Sequence, residues 1–123
     1  MALLNRDQVK SPVLRKQTVT VPALGADVVV RGLLLSEMFE KKHVNEEAKK
    51  PRDGETEGRA RARAGGHVVS YTLARTVTLA DGKPLYSEAE WDVFGAENPS
   101  DVLELFKVAE SLNGRNKQEI AKN

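Results

Sequence analysis

The stretch HVVSYTLARTVTL, residues 67–79, decides the fold, and it reads two ways. Val69, Tyr71, Leu73, Val77 and Leu79 alternate with other residues, the period of a half-buried strand. Val69, Leu73 and Val77 also recur every four residues, with Val68 beside them, the period of a helix. The valines, threonines and tyrosine favour a strand, because β-branched and aromatic side chains suit a pleated surface. Ala60, Ala62, Ala64 and Ala74 favour a helix running in from upstream. Periodicity leaves both readings open. Asp81-Gly82-Lys83-Pro84 then forces a turn.

Immediately upstream, residues 52–66 read RDGETEGRARARAGG. The proline at 51 and the glycines at 54 and 58 point to a mobile loop with the arginines at the base of the next element. An Arg-rich loop is therefore expected at about residues 49–66. It is not a phosphate cradle, since neither GxxxxGK[ST] nor GxGxxG after a strand is present. Nor does it carry the interleaved aromatics that stack on bases. Asp53, Glu55 and Glu57 oppose its cations, and Glu55–Arg59 and Glu57–Arg61 have favourable i, i+4 spacing if the segment turns helical. A solvated connection outweighs a nucleic-acid arm.

Toward the N-terminus, residues 3–9 suggest one helical turn, ended by Ser11-Pro12. Residues 17–21 and 27–31 are β-rich and flank Pro22-Ala23-Leu24-Gly25, the pattern of a small hairpin. Ser36 suits an N-cap for a helix that turns Met38, Phe39 and His43 inward and Glu40, Lys41 and Lys42 outward, fading by Lys50-Pro51. In the C-terminal third, Ser87-Glu88-Ala89-Glu90 has capping-box spacing before a short helix holding Trp91 and Phe94, ended by Gly95. Asn98-Pro99 opens another helix, with Asn98 as N-cap. Its apolar stripe is Val102, Leu105, Phe106, Ala109 and Leu112, and Asn113-Gly114 is expected to close it in a left-handed cap. The tail KQEIAKN suggests a further turn of helix.

The chain of 123 residues is the size of one domain, residues 1–123, and large enough to bury a core. It has no cysteine, which excludes disulfides and thiolate chemistry. The opening MALLNRDQV lacks the pattern of a secretory leader, and no apolar run approaches a membrane span. A formal net charge of +1 argues for neither a nucleic-acid nor a membrane partner. His43 and His67 are the only histidines; no HExxH, CxxC or nucleophile-elbow motif occurs. No catalytic residue, metal ligand or cofactor is expected. The best lead is Leu33-Leu34-Leu35, because three consecutive leucines cannot all face one core from regular structure.

Three stretches, in order, resemble one family. TVTVPALGADVVVRGLLLSEMFE (residues 18–40), ADGKPLYSEAEWDVFG (80–95) and VLELFKVAESLNG (102–114) are similar to the hairpin, turn and last helix of tail assembly chaperones of long-tailed bacteriophages. The resemblance implies a small α+β fold, an N-terminal β-hairpin packed against several mainly C-terminal helices, with residues 67–79 mostly helical. The arginine-rich insertion and Gly65-Gly66 depart from the family pattern. It implies a non-enzymatic role: binding the tape measure protein, assisting tail tube assembly, working in the host bacterial cytoplasm and leaving before the virion is mature. The tail tube protein would be recruited through a longer form, of which this chain is the shorter. Self-association is expected, and Leu33, Leu34, Leu35, Val102, Leu105 and Leu112 are the expected partner-binding residues. The alternatives are a structural head–tail or tail component kept in the virion, and a small nucleic-acid-associated regulator using the arginines.

The arginines give a test. A mixed-sequence DNA duplex at physiological salt should bind at most weakly, and the binding should vanish as salt rises. Sub-micromolar, salt-resistant binding would support the regulator instead.

Overall fold

The computed structural model describes residues 2–114. The turn expected in the tail KQEIAKN lies outside them. Two strands, β1 (Lys16–Val21) and β2 (Ala26–Arg31), form the anticipated hairpin, with Lys16 opposite Arg31 and Val21 opposite Ala26. Pro22–Leu24 forms a 3-10 turn at its tip. Asp101 accepts a hydrogen bond from the Ala23 N–H at 3.1 Å and ties that tip to the last helix. Alternation turns Val21, Val28 and Val30 into the core.

Residues 67–79 satisfy both of their readings, in succession. Helix α2 runs Glu57–Thr76, and strand β3 follows at once as Val77–Thr78. The β-rich composition is compatible with helix because the buried hydroxyls bond back one turn. Thr72 Oγ1 donates to Val68 O and Thr76 Oγ1 to Thr72 O, each at 2.8 Å. Val77 then pairs opposite Val30 and Thr78 opposite Val29, so the sheet order is β1-β2-β3 with β2 central. This third strand was not foreseen. The turn at residues 81–84 brings the chain back, and Leu85 N–H donates to Val77 O at 3.2 Å.

The remaining helices are α1 (Leu35–Ala48), α3 (Glu88–Glu97) and α4 (Pro99–Asn113). Helix α2 packs against all three, while α4 and α2 cover one face of the sheet. The core between them holds Val21, Val28, Val30, Leu73, Val77, Trp91, Val102, Leu105 and Ala109. Tyr86, Trp91 and Phe94 meet edge-on or tilted, with ring centroids 5.1–5.6 Å apart. Gly65 and Gly66, inside α2, each cost about 1 kcal/mol relative to alanine.

The capping box at Ser87 forms as expected: its hydroxyl accepts from Glu90 N–H at 3.2 Å, and Glu90 accepts from Ser87 N–H at 3.0 Å. Other termini differ. Helix α3 continues through Gly95, where a Cβ would touch Val102 at 3.4 Å, and ends at Glu97. Asn98 begins α4, but its side chain donates backward to Phe94 O at 3.2 Å and closes α3 instead. Gly114 is extended, not left-handed, because Asn113 is used differently. Asn113 Oδ1 accepts from Leu33 N–H at 2.7 Å and its Nδ2 donates to Leu33 O at 2.8 Å. The amide thus mimics a strand partner for Leu33. Gly32 is required beside it, since a Cβ there would lie 2.9 Å from Asn113 Nδ2.

The Arg-rich segment corrects the expected loop at residues 49–66. Only residues 49–56 connect helices; the arginines at 59, 61 and 63 already lie in α2. Thr56 caps α2 by accepting from Arg59 N–H at 3.2 Å. Glu55, outside the helix, does not pair with Arg59. It binds Arg63 two turns in, through Nε at 3.1 Å and a terminal nitrogen at 2.8 Å. These bonds, with the Arg52 N–H and the nearby charges, hold Glu55 down to about 2 against its ordinary 4.5.

Two outcomes follow from this fold. Asn113→Ala leaves the Leu33 N–H buried without its acceptor and should lower stability by about 1–3 kcal/mol in urea unfolding. Ser111→Ala, at an exposed position of the same helix, should change it by less than about 0.5 kcal/mol. Because Glu55 titrates lower folded than unfolded, its contribution is complete above pH 4.5 and is lost as pH falls toward about 2. An NMR titration of the Glu55 carboxyl should show that low midpoint, rising toward 4.5 in Arg63→Ala.

Candidate partner-binding surface

Helix α1 does not start at Ser36. Its first residue is Leu35, with Leu34 in the N-cap position and Glu37 at the third helical position. The Glu37 carboxylate accepts from Leu34 N–H at 2.8 Å and grips Arg31 at 2.9 and 3.2 Å. Arg31 also donates to Gly32 O at 2.8 Å, so β2, the junction and α1 are locked together. Burial pushes Glu37 upward, but the Arg31 and Leu34 hydrogen bonds and the charges of Arg31 and Arg75 outweigh it. The net position is below the ordinary carboxylate value.

This lock sets which leucines are free. Leu33 is buried beneath the junction, 5% exposed, with its backbone held by Asn113. Leu34 and Leu35 point outward at 48% and 69% exposure. One turn on, Met38 and Phe39 join them at 40% and 67%. The spacing i, i+1, i+4, i+5 puts all four on one side of the helix start. Met38 and Phe39 were expected inward, and His43 too, but all three are exposed. The helix is turned because Lys41, expected outward, is partly buried: its Nζ lies 2.5 Å from Glu110 and 5.0 Å over the Phe106 ring. That contact ties α1 to α4 and rolls Phe39 to the surface.

The six residues expected to bind a partner are therefore divided. Leu34 and Leu35 are available. Leu33, Val102 and Leu105 are core residues at 5%, 7% and 1% exposure, and Leu112 is half-buried against the same core. The structure does not join the leucine run and the α4 stripe into one surface. Met38 and Phe39 are the large apolar side chains exposed beside Leu34 and Leu35. Their signal in the sequence was the pairing of 34–35 with 38–39, masked by assigning the apolar residues of α1 to the core.

His43 and His67 line a shallow basic cleft with Arg52 and Arg63. His67 Nε2 stands 3.9 Å from Glu88, and among the described residues no cluster of three metal-ligating side chains occurs. Arg63 in that cleft is already committed to Glu55. No helix among the described residues is long and apolar enough to cross a membrane.

No protein-family model matches the sequence, and no curated protein matches it. Among solved structures, the tail assembly chaperone of bacteriophage HK97 matches with a TM-score of 0.55 and 20% identity, over 80% of this chain and 85% of that one. The α+β arrangement expected from the resemblance is the arrangement found, and the chain has the fold of the HK97 tail assembly chaperone.

Proposed function

We propose that this protein is a non-enzymatic phage tail assembly chaperone that binds the tape measure protein and assists assembly of the tail tube. The observation that carries the reading is the apolar group Leu34, Leu35, Met38 and Phe39, left open at the start of α1 on a chaperone fold. Contiguous apolar side chains held outward by a locked helix start are suited to the apolar stripe of a partner helix. Each contact contributes roughly 25 cal/mol per Å² of buried apolar area before ordering costs. A patch of four side chains therefore binds weakly alone and strongly when many copies line one long partner. In this reading the protein acts in the host cytoplasm, self-associates along its partner, and leaves before the virion is complete. The tail tube protein is met through a longer form.

The test is co-expression with a candidate tape measure protein, a long and mostly helical chain. Wild type should co-purify with it and raise its soluble yield. Leu34→Asp and Phe39→Asp should each reduce co-purification about tenfold, through lost burial and a desolvated charge, with an unchanged circular dichroism spectrum. If wild type does neither, the chaperone reading fails. If mass spectrometry finds the chain in purified virions, a structural tail component becomes the better account.

A further inference from the structure

Helix α3 carries charge of one sign only. Glu88, Glu90, Asp92 and Glu97 lie among its ten residues, and no lysine or arginine joins them. Glu88 meets Arg75 on α2. Glu90, Asp92 and Glu97 have no ion-pair partner among the described residues. Acids in the first turn suit the positive end of a helix, which accounts for Glu88 and Glu90. Glu97 is the last residue of α3, where the helix dipole disfavours an anion, and the last turn holds no basic residue. The stability of the helix therefore does not explain the whole set.

These acids border an apolar strip. Val93 is 68% exposed, and Ala89 and Ala96 are exposed with it. At about 100° per residue, the three fall within about 60° of helix azimuth. Asp92 lies about 40° beyond Ala96 on one flank. Glu97 and Glu90 lie about 40° and about 60° beyond Val93 on the other. Beside the strip, the half-buried Tyr86 and Phe94 rings deepen the surface into an open groove of about 530 Å³. Ala89 and Val93 form its wall, and Glu90 and Glu97 stand at its rim. No lysine or arginine among the described residues lines it. From Ala89 to Glu97 the surface runs about 12 Å, the length of two turns of a facing helix.

We propose that this face of α3 binds an amphipathic helix of another protein, one whose apolar strip is bordered by lysine or arginine on both sides. Apolar side chains of that helix enter between Val93 and the Tyr86 and Phe94 rings. Two cations seven residues apart on one border meet Glu90 and Glu97, which are themselves seven residues apart on one flank. A cation on the opposite border meets Asp92. Charge chooses the occupant: the border that attracts a basic helix repels an acidic helix, a nucleic acid and an anionic membrane. The apolar strip supplies affinity, and the charged rim supplies steering and register. The surface lies on a different helix from Leu34, Leu35, Met38 and Phe39 and does not rest on the reading of that patch.

The probe is a synthetic helix with leucine and alanine along one strip and lysines on both borders, two of them seven residues apart. Its binding is followed by fluorescence anisotropy and mapped by NMR amide shifts. It should shift the amides of residues 89–97 and change the emission of Trp91, the single tryptophan, which packs on Tyr86 and Phe94. Glu97→Lys should weaken binding about tenfold, with an equal or higher melting temperature, because a cation suits a helix C-terminus. Val93→Asp should also weaken binding about tenfold, although it adds an anion, because the apolar contact is lost. Phe39→Asp should leave the dissociation constant within about twofold of wild type, since distant sites act independently. A peptide with glutamates in place of the lysines should not bind at about 1 mM. A lysine peptide held by charge alone would bind Val93→Asp more tightly than wild type, and that result overturns the proposal. So does a wild type that leaves the lysine peptide free at about 1 mM, a shift map centred on α1, or equal binding of the glutamate peptide.

Discussion

The fold depends on one residue shared between two hydrogen-bonding systems. Val77 donates its N–H to Leu73 O and so ends α2, while its carbonyl accepts from Leu85 N–H and its Cα stands opposite Val30 in the sheet. No loop intervenes between helix and strand. A helix whose last bonded residue is also a sheet residue cannot turn about its own axis. The inward face of α2 is therefore set by the register of β3 on β2. Its other neighbours, α1, α3 and α4, take their places around a helix whose orientation is already fixed.

Arg75, two residues before that junction, extends the constraint outward. Its guanidinium stacks 3.5 Å from the Tyr71 ring centroid and donates to Tyr71 O at 3.0 Å. It also reaches Glu40 on α1 at 3.5 Å and Glu88 on α3 at 3.4 Å. One planar cation thus ties three helices together near the end of α2, a geometry lysine cannot copy. Burial, with Glu40 beside it, pushes the Tyr71 hydroxyl up to about 12, so the ring remains neutral under the cation through the physiological range.

Local chemistry was legible in the sequence wherever a few neighbouring residues decide the outcome. The hairpin at Val21 and Ala26, the capping box at Ser87 and the α4 stripe all depend on spacing within about one turn or one strand pair. What was not legible depended on partners distant in sequence. The strand at Val77–Thr78 exists only because Val30 is beside it. Asn113 was read as a left-handed helix end, but its amide is taken by Leu33. Phe39 was assigned to the core because nothing in its own helix reveals that Lys41 would be drawn to Glu110 and Phe106. The division of the expected binding residues has the same origin: a leucine run shows that something must be exposed, and only long-range contacts choose Leu34 and Leu35 over Leu33. Glu55 shows the reverse, a local pairing rule that fails because the helix begins two residues too late for it.

The clasp between Leu33 and Asn113 also has a temporal meaning. Its two ends lie 80 residues apart, so during synthesis the junction after β2 exists long before the amide that closes it. Until α4 emerges, the backbone of Leu33 is hydrated, and the sheet has at most its hairpin plus a strand that must wait for α2. Long-range closures of this kind form late because chain entropy opposes them until much else is in place. A nascent chain therefore displays the leucines at residues 33–35 together, and only completion of the last helix withdraws one of them. The surface with two leucines is a property of the finished protein alone, and the growing chain is the stickier species.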